Sequence, residues 1–320
     1  MKKYLNSLIN IINIFFNKKI LGKPDFSEKR IILQGQINEK KNHEKTYISD
    51  LAEIEFSVFS QFGEDGIISW LSYQIPDINK TFLEIGTQDY WESNTRFLIQ
   101  SQNWKGYLIE ASNSEVNKIK KQSLYWKKNL TAINEFVNCE NINSILKKNL
   151  KSNNLGLLSL DIDGNDYWIM KEANIDSDLI VCEYNPIFGD IYEITIPYEK
   201  DFDRNKKHYS NLFFGCSIRA LIELMKKKNY DFLGTNSQGM NAFFVNKKKN
   251  KYFEKKIQEQ KIYFPITREG REKNGNLNYN NVIQNLNLIK NEKIYDLKNK
   301  QLKKLSEFEN LYSNEWMSKF

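Results

Sequence analysis

Short apolar runs of strand length alternate along this chain with stretches of helical period, and four of the runs end in acidic residues. They are Thr81–Asp89, which carries Glu84 and Asp89, Gly106–Glu110, Leu157–Asp166, which carries Asp161, Asp163 and Asp166, and Leu179–Asn185, which carries Glu183. The pattern predicts strands over 82–86, 106–110, 131–136, 156–161 and 178–184. Helices are expected over 65–74, 94–102, 113–128, 140–150 and 166–173. A helix over 216–228 and two close strands, 230–235 and 241–245, follow. The four residues Asn236–Gly239 between those strands suit a hairpin, so one of the two runs antiparallel. Strands alternating with helices imply an α/β fold with a doubly wound, mostly parallel sheet, here of seven strands.

The flanks read differently. Tyr4–Phe16 places Asn6, Asn10 and Asn13 on one helical face and Leu5, Leu8, Ile9, Ile12 and Phe16 on another, which predicts an amphipathic helix. It is too short to span a bilayer and lacks the small-residue cleavage site of a signal peptide. It suits docking on its own protein or lying on a membrane surface, the inner face of the membrane included. Residues 22–50 are polar without a clear period and read as a linker. After Lys247 the sequence turns lysine- and asparagine-rich and reads as a helical appendage, suited to capping a site, an oligomer contact or a partner. The expected organisation is thus an N-terminal helix and linker over 1–50, an α/β domain over 51–247 and a helical extension over 248–320.

Composition changes this picture little. The chain has 320 residues, 40% of them hydrophobic, enough for a full core and incompatible with wholesale disorder. The net charge of +7 gathers in lysine-rich stretches such as 247–256 and 298–304, which read first as solvated helical faces. Three scattered cysteines exclude a disulfide framework or a zinc site and fit a reducing cytoplasm.

In an open parallel sheet, ligands bind outside the carboxyl ends of the strands. Carboxylates gathered there repel one another and lose hydration, so packing alone does not ask for them. Gly86 allows a sharp turn and a close ligand approach, but the further glycines of a dinucleotide fingerprint are missing. Glu84 and Asp89 would also repel a pyrophosphate, which opposes a nicotinamide-dependent oxidoreductase. A cationic ligand without phosphate suits this edge better. S-adenosylmethionine (AdoMet) carries a sulfonium, an ammonium and a ribose, and Glu110 at the end of the second strand is placed to grip the ribose hydroxyls.

The chain resembles AdoMet-dependent methyltransferases of the FkbM-like group, found near bacterial surface-glycan genes. The likeness rests on Ser60–Gly66, Phe82–Gly86 followed by Glu92–Thr95, Gly106–Glu110, Leu160–Trp168, Glu183–Pro186, and Asn236–Gly239 with Asn241–Phe244. It covers about residues 56–247. It implies the class I methyltransferase (Rossmann-like) fold and methyl transfer to a hydroxyl, often of a sugar. It also implies that Glu84, Gly86 and Asp89 line the methionine side of the cofactor and that Glu110 holds the ribose, with hydrogen bonds from Gln61 and Asn94.

The Asp161–Asp166 stretch is the best candidate for chemistry. Gly164 signals a turn that could bring Asp163 and Asp166 together. Three readings stand open: Mg²⁺ held by Asp161, Asp163 and Asp166; direct contact of Asp161 or Asp163 with cofactor or acceptor, with Asp163 as base; or a capped turn. The long aromatic stretch from Thr195 to Gly215 suits a lid over a sugar ring, and His208 within it is a candidate base. The expected function is cytoplasmic O-methylation of a sugar or glycan acceptor, nucleic acid being the less suitable partner. The alternative is a methyltransferase-like glycan-binding scaffold without turnover, which the single glycine of the first turn supports.

Overall fold

The computed structural model describes residues 26–152, 154–265 and 269–318; the amphipathic helix expected at Tyr4–Phe16 lies outside them. The predicted strands are all present: β1 (Thr81–Ile85), β2 (Lys105–Glu110), β3 (Leu130–Asn134), β4 (Asn154–Leu160) and β5 (Asp176–Glu183). A short β6 (Ile194–Thr195) precedes β7 (Tyr230–Thr235) and β8 (Asn241–Asn246). The main sheet has seven strands in the order β3-β2-β1-β4-β5-β8-β7. Only β8 runs against the others, pairing antiparallel with both β5 and β7. This is the α/β, Rossmann-like class I arrangement expected from the sequence.

The strands are near-continuous apolar runs because both faces of the sheet are covered. On one face Leu83, Ile109, Leu158, Ile180 and Phe244 pack against Ile145, Ile169 and Leu221 of the helices Ile142–Asn149, Asp166–Glu172 and Ile218–Lys227. On the other, Phe82, Leu108, Leu157, Val181 and Phe243 meet Ile67, Trp70 and Leu71 of the helix Glu64–Gln74. Alternate residues of each strand thus feed opposite cores.

Two expectations fail. Residues 26–43 form a helix where the sequence suggested a linker. Its Glu28 pairs with the buried Arg96 at 3.0 Å, and the space at Gly35 is closed by Val58 and Phe97. The stretch after Lys247 is not a helical appendage. Its described residues hold two 3-10 turns, the small hairpin β9 (Gly270–Arg271) and β10 (Leu277–Asn278), a helix of two turns (Val282–Ile289), the hairpin β11 (Lys293–Asp296) and β12 (Gln301–Lys304), and a single-turn helix (Asn314–Met317). β11 also pairs with β6, giving a three-stranded sheet. Val282, Ile294, Leu305 and Trp316 share a third core with Ile187, Ile196, Leu212 and Phe213 from the segment between β5 and β7. No described helix is long and apolar enough to cross a membrane.

Candidate active site

The sheet reverses its strand order between β1 and β4, the place where ligands enter open α/β sheets. A cavity of about 1090 Å³ opens there. The ends of β1, β2, β4 and β5 line it with Glu84, Glu110, Asp161 and Glu183, and Glu135–Val137 contribute from the loop after β3. Asp201–Lys206 from the segment after β6 and Glu269–Arg271, Leu277 and Tyr279 from the C-terminal stretch complete the lining.

On the β1 side the backbone turns sharply at Gly86, with φ +84°. Its N–H donates to Ile109 O at 3.0 Å, and a Cβ there would lie 1.6 Å from the Asp161 carbonyl oxygen. The glycine is therefore required by the close approach of β4, before any ligand is considered. Glu84 is buried and accepts from Ser93 Oγ at 2.7 Å, from Asn94 N at 3.1 Å and from Thr95 Oγ1. It ties the loop after Gly86 to the sheet, and burial pushes its carboxyl above the usual range. Glu110 accepts from the N–H groups of Thr87 (3.1 Å), Gln88 (2.8 Å) and Ser112 (2.8 Å). Those bonds use about three of its four acceptor positions and fix the carboxylate's direction in advance. Asp89 accepts from Trp91 N at 3.1 Å, and Asn94 donates from Nδ2 to Ser159 Oγ at 3.2 Å. Gln61 is exposed and also lines the cavity. Thr95 stands at the N-cap position of the adjoining helix Arg96–Ser101 without a side-chain cap bond, its Oγ1 donating to Glu84 instead.

Past Leu160 the strand stops, and Asp163 takes a left-handed conformation with φ +54°. Asp161, Asp163 and Glu183 each offer a carboxylate oxygen, all within 4.8 Å of one another. Asp166 is not part of this group. It is fully buried and accepts from Ile162 N at 2.8 Å and Gly164 N at 2.9 Å, so it caps the turn. The metal set expected from sequence therefore loses Asp166, and Glu183 stands in its place. Burial, then the neighbouring carboxylate of Glu183, push the Asp161 carboxyl well above its ordinary range, while Arg204 Nη1 forms an ion pair with Asp163 Oδ1. The guanidinium thus already offsets charge that a cation would otherwise meet. His208 does not line the cavity; it bonds Ser210 Oγ through Nδ1 at 2.7 Å and lies against Tyr209.

Sequence reasoning left several lining groups unassigned. Glu64 is fully buried and accepts from Asn236 Nδ2 at 2.7 Å, Asn241 Nδ2 at 2.8 Å and Phe62 N at 2.8 Å. It joins two motifs more than 170 positions apart, Ser60–Gly66 and Asn236–Asn241. Half-exposed Phe136, exposed Tyr279 and Arg204 also face this space. Only the apolar character of the first two was legible in the sequence, and nothing there placed them together.

Residues 53–232, more than half of the chain, match the sequence model of the methyltransferase FkbM domain. The chain belongs to the FkbM methyltransferase family. It is thereby an AdoMet-dependent methyltransferase, as the strand-end motifs implied. No curated protein matches this FkbM methyltransferase in sequence. Among solved structures it is similar to a candidate sarcosine dimethylglycine methyltransferase from Galdieria sulphuraria, with 13% identity and a TM-score of 0.37; 55% of this chain covers 64% of that one. An O-methyltransferase from Bacillus cereus in complex with SAH has 12% identity and a TM-score of 0.38, over 72% of this chain and 94% of the other. A SAM-dependent methyltransferase from Aquifex aeolicus has 12% identity and a TM-score of 0.36, over 65% and 98%. Likenesses this loose carry no weight for the site. The family match ends before β8, so the cavity wall from Glu269 to Tyr279 lies beyond it.

Proposed function

We propose that this FkbM methyltransferase methylates a hydroxyl of a sugar, in a surface glycan or its nucleotide-linked precursor, on the cytoplasmic side of the membrane. The observation that carries the reading is the cavity at the strand-order reversal. At about 1090 Å³ it exceeds the roughly 300–1,000 Å³ of a single small-molecule site, leaving room for donor and acceptor together. The chemistry of its β1–β2 side fits AdoMet: carboxylates at Glu110 and Asp89 suit a sulfonium, an ammonium and a ribose diol, and only one glycine is present where a pyrophosphate would need more. Gly86, Asn94 and Gln61 complete the residues that would hold it. When bound, AdoMet supplies an electrophilic methyl group.

The remaining work falls to the chain itself. Alignment and exclusion of water dominate a direct displacement, so no fixed triad is needed. Asp201–Lys206, Asn211, Leu277 and Tyr279 wall the acceptor side, and Phe202 and Tyr279 offer rings to a sugar face. Asp163, open on one side, is the acceptor of choice for the hydroxyl proton; Asp161 keeps its own proton to higher pH because of burial and Glu183. The reaction needs no Mg²⁺ in this scheme.

Calorimetric titration with AdoMet and S-adenosylhomocysteine tests the cofactor assignment. Micromolar binding is expected, falling at least about tenfold in Glu110→Ala, with no heat from NAD. Wild-type protein that is folded yet binds neither sulfur compound would sink the reading.

A further inference from the structure

Arg204 is the cation built most firmly into the cavity. It sits on the short helix Arg204–Lys207, whose start is capped by Asp203. Its Nε donates to Asn211 O at 2.5 Å, its guanidinium lies 4.0 Å from the centre of the Phe214 ring, and its Nη1 pairs with Asp163. Three sides of the side chain are therefore fixed, and it is only 20% exposed, whereas Asp163 remains 47% exposed. The turn that carries Asp163 is stitched to the same segment. Gly164 O accepts from Gly215 N at 2.9 Å, Asn165 Nδ2 donates to Glu199 O at 2.7 Å, and the Phe202 ring leaves no room for a Cβ at Gly164.

Resting on the reading above, we propose that Arg204 is a positioning residue for methyl transfer, holding the Asp163 carboxylate in one direction, aimed at the acceptor hydroxyl. The geometry supports it. Asp163 stands in a left-handed turn on the rim of the cavity, where an unpaired side chain would sample several rotamers; the guanidinium, itself fixed on three sides, selects one. As the acceptor oxygen bonds to the methyl carbon, the carbon–sulfur bond breaks with its electron pair left on sulfur. The hydroxyl proton passes to the Asp163 carboxylate and from there to solvent.

The test compares full-length wild type with Arg204→Ala and Arg204→Lys. The first arm uses labelled AdoMet with a panel of methyl glycosides and uridine-diphosphate sugars, alongside calorimetric AdoMet binding. Arg204→Ala should lower kcat roughly 10- to 100-fold, with AdoMet affinity and acceptor KM within about threefold of wild type. Arg204→Lys should recover part of the loss, since it restores the charge but not the planar fork. A kcat unchanged in Arg204→Ala, or a loss that follows AdoMet affinity and melting temperature, overturns the proposal while leaving the methylation reading intact. The second arm needs no acceptor: aspartate labelled at its carboxyl carbon is observed by NMR at fixed pH, and the Asp163 signal is identified with Asp163→Asn. That signal should shift and broaden in Arg204→Ala as the carboxylate samples several rotamers, and less so in Arg204→Lys. An unchanged signal overturns the proposal, and a wild type that binds AdoMet but methylates no sugar overturns only the acceptor assignment.

Discussion

Replacing Gly86 with alanine separates two reasons for a glycine at the first strand end. If the glycine serves a ligand, Gly86→Ala should fold normally and bind AdoMet poorly. The structure gives the residue an earlier task. Its φ of +84° costs a residue with a side chain about 1 kcal/mol. The added Cβ would sit 1.6 Å from Asp161 O, a backbone atom that no rotamer change can move. Clearing that overlap drives the β1 and β4 ends apart, which endangers the bonds Asp161 N to Ile85 O and Gly86 N to Ile109 O, both 3.0 Å long. At about 1 kcal/mol for each bond, the expected total is about 3 kcal/mol. The assay is urea unfolding of ligand-free protein followed by circular dichroism, with calorimetric AdoMet binding measured separately. A ligand-free variant within about 1 kcal/mol of wild type, but with AdoMet affinity lost, would refute the reasoning and restore ligand approach as the glycine's role.

Two further outcomes are expected. Burial raises the Asp65 carboxyl from its ordinary 3.8 to about 6, although Val58, Phe59 and Ser60 N–H groups all bond its Oδ2. A raised folded value means stability that is fully present below pH 3.8 and lost as pH rises to about 6, on the order of 3 kcal/mol. The urea midpoint of Asp65→Asn, whose amide oxygen can still accept those N–H groups, should therefore vary less between pH 4 and 6 than that of wild type; equal slopes would contradict the assignment. Trp316→Ala removes a fully buried ring stacked on Phe264 at 4.0 Å and should destabilise the third core by about 3–5 kcal/mol, read as faster proteolysis within the C-terminal stretch; unchanged protection would show that core to be independent of Trp316.

The strands were legible because each is buried on both faces, so its apolar run breaks only where it leaves the sheet. The carboxylates at those breaks located the cavity for the same reason. The helix 26–43 was not legible: its contacts include Gly35 against Phe97, Glu28 with Arg96, Glu39 with Ser69, Asn42 with Ile54 O and His43 stacked on Tyr73, and these make no apolar stripe. The C-terminal strands are two to four residues long, too short for period-2 alternation to stand out among lysines. In the site, the turn at Gly164 was expected to bring Asp163 and Asp166 together. Instead Asp163 lies beside Asp161 and Glu183, because the turn's own N–H groups claimed Asp166. Arg204 escaped notice since it lies 41 positions from Asp163 and in a stretch where lysines dilute its signal.

The wall formed by Glu269–Arg271, Leu277 and Tyr279 gives one cavity two kinds of lining. The strand ends that would face the methyl donor lie inside the family-wide stretch 53–232, while this wall lies outside it. None of the carboxylates at the β1, β2 or β4 ends comes from that wall. Yet it is not a detachable piece here, because β11 completes the sheet begun by β6 and shares its core. A change confined to this wall would re-face one side of the cavity and leave the strand-end carboxylates where they are, provided the new face still folds against β6.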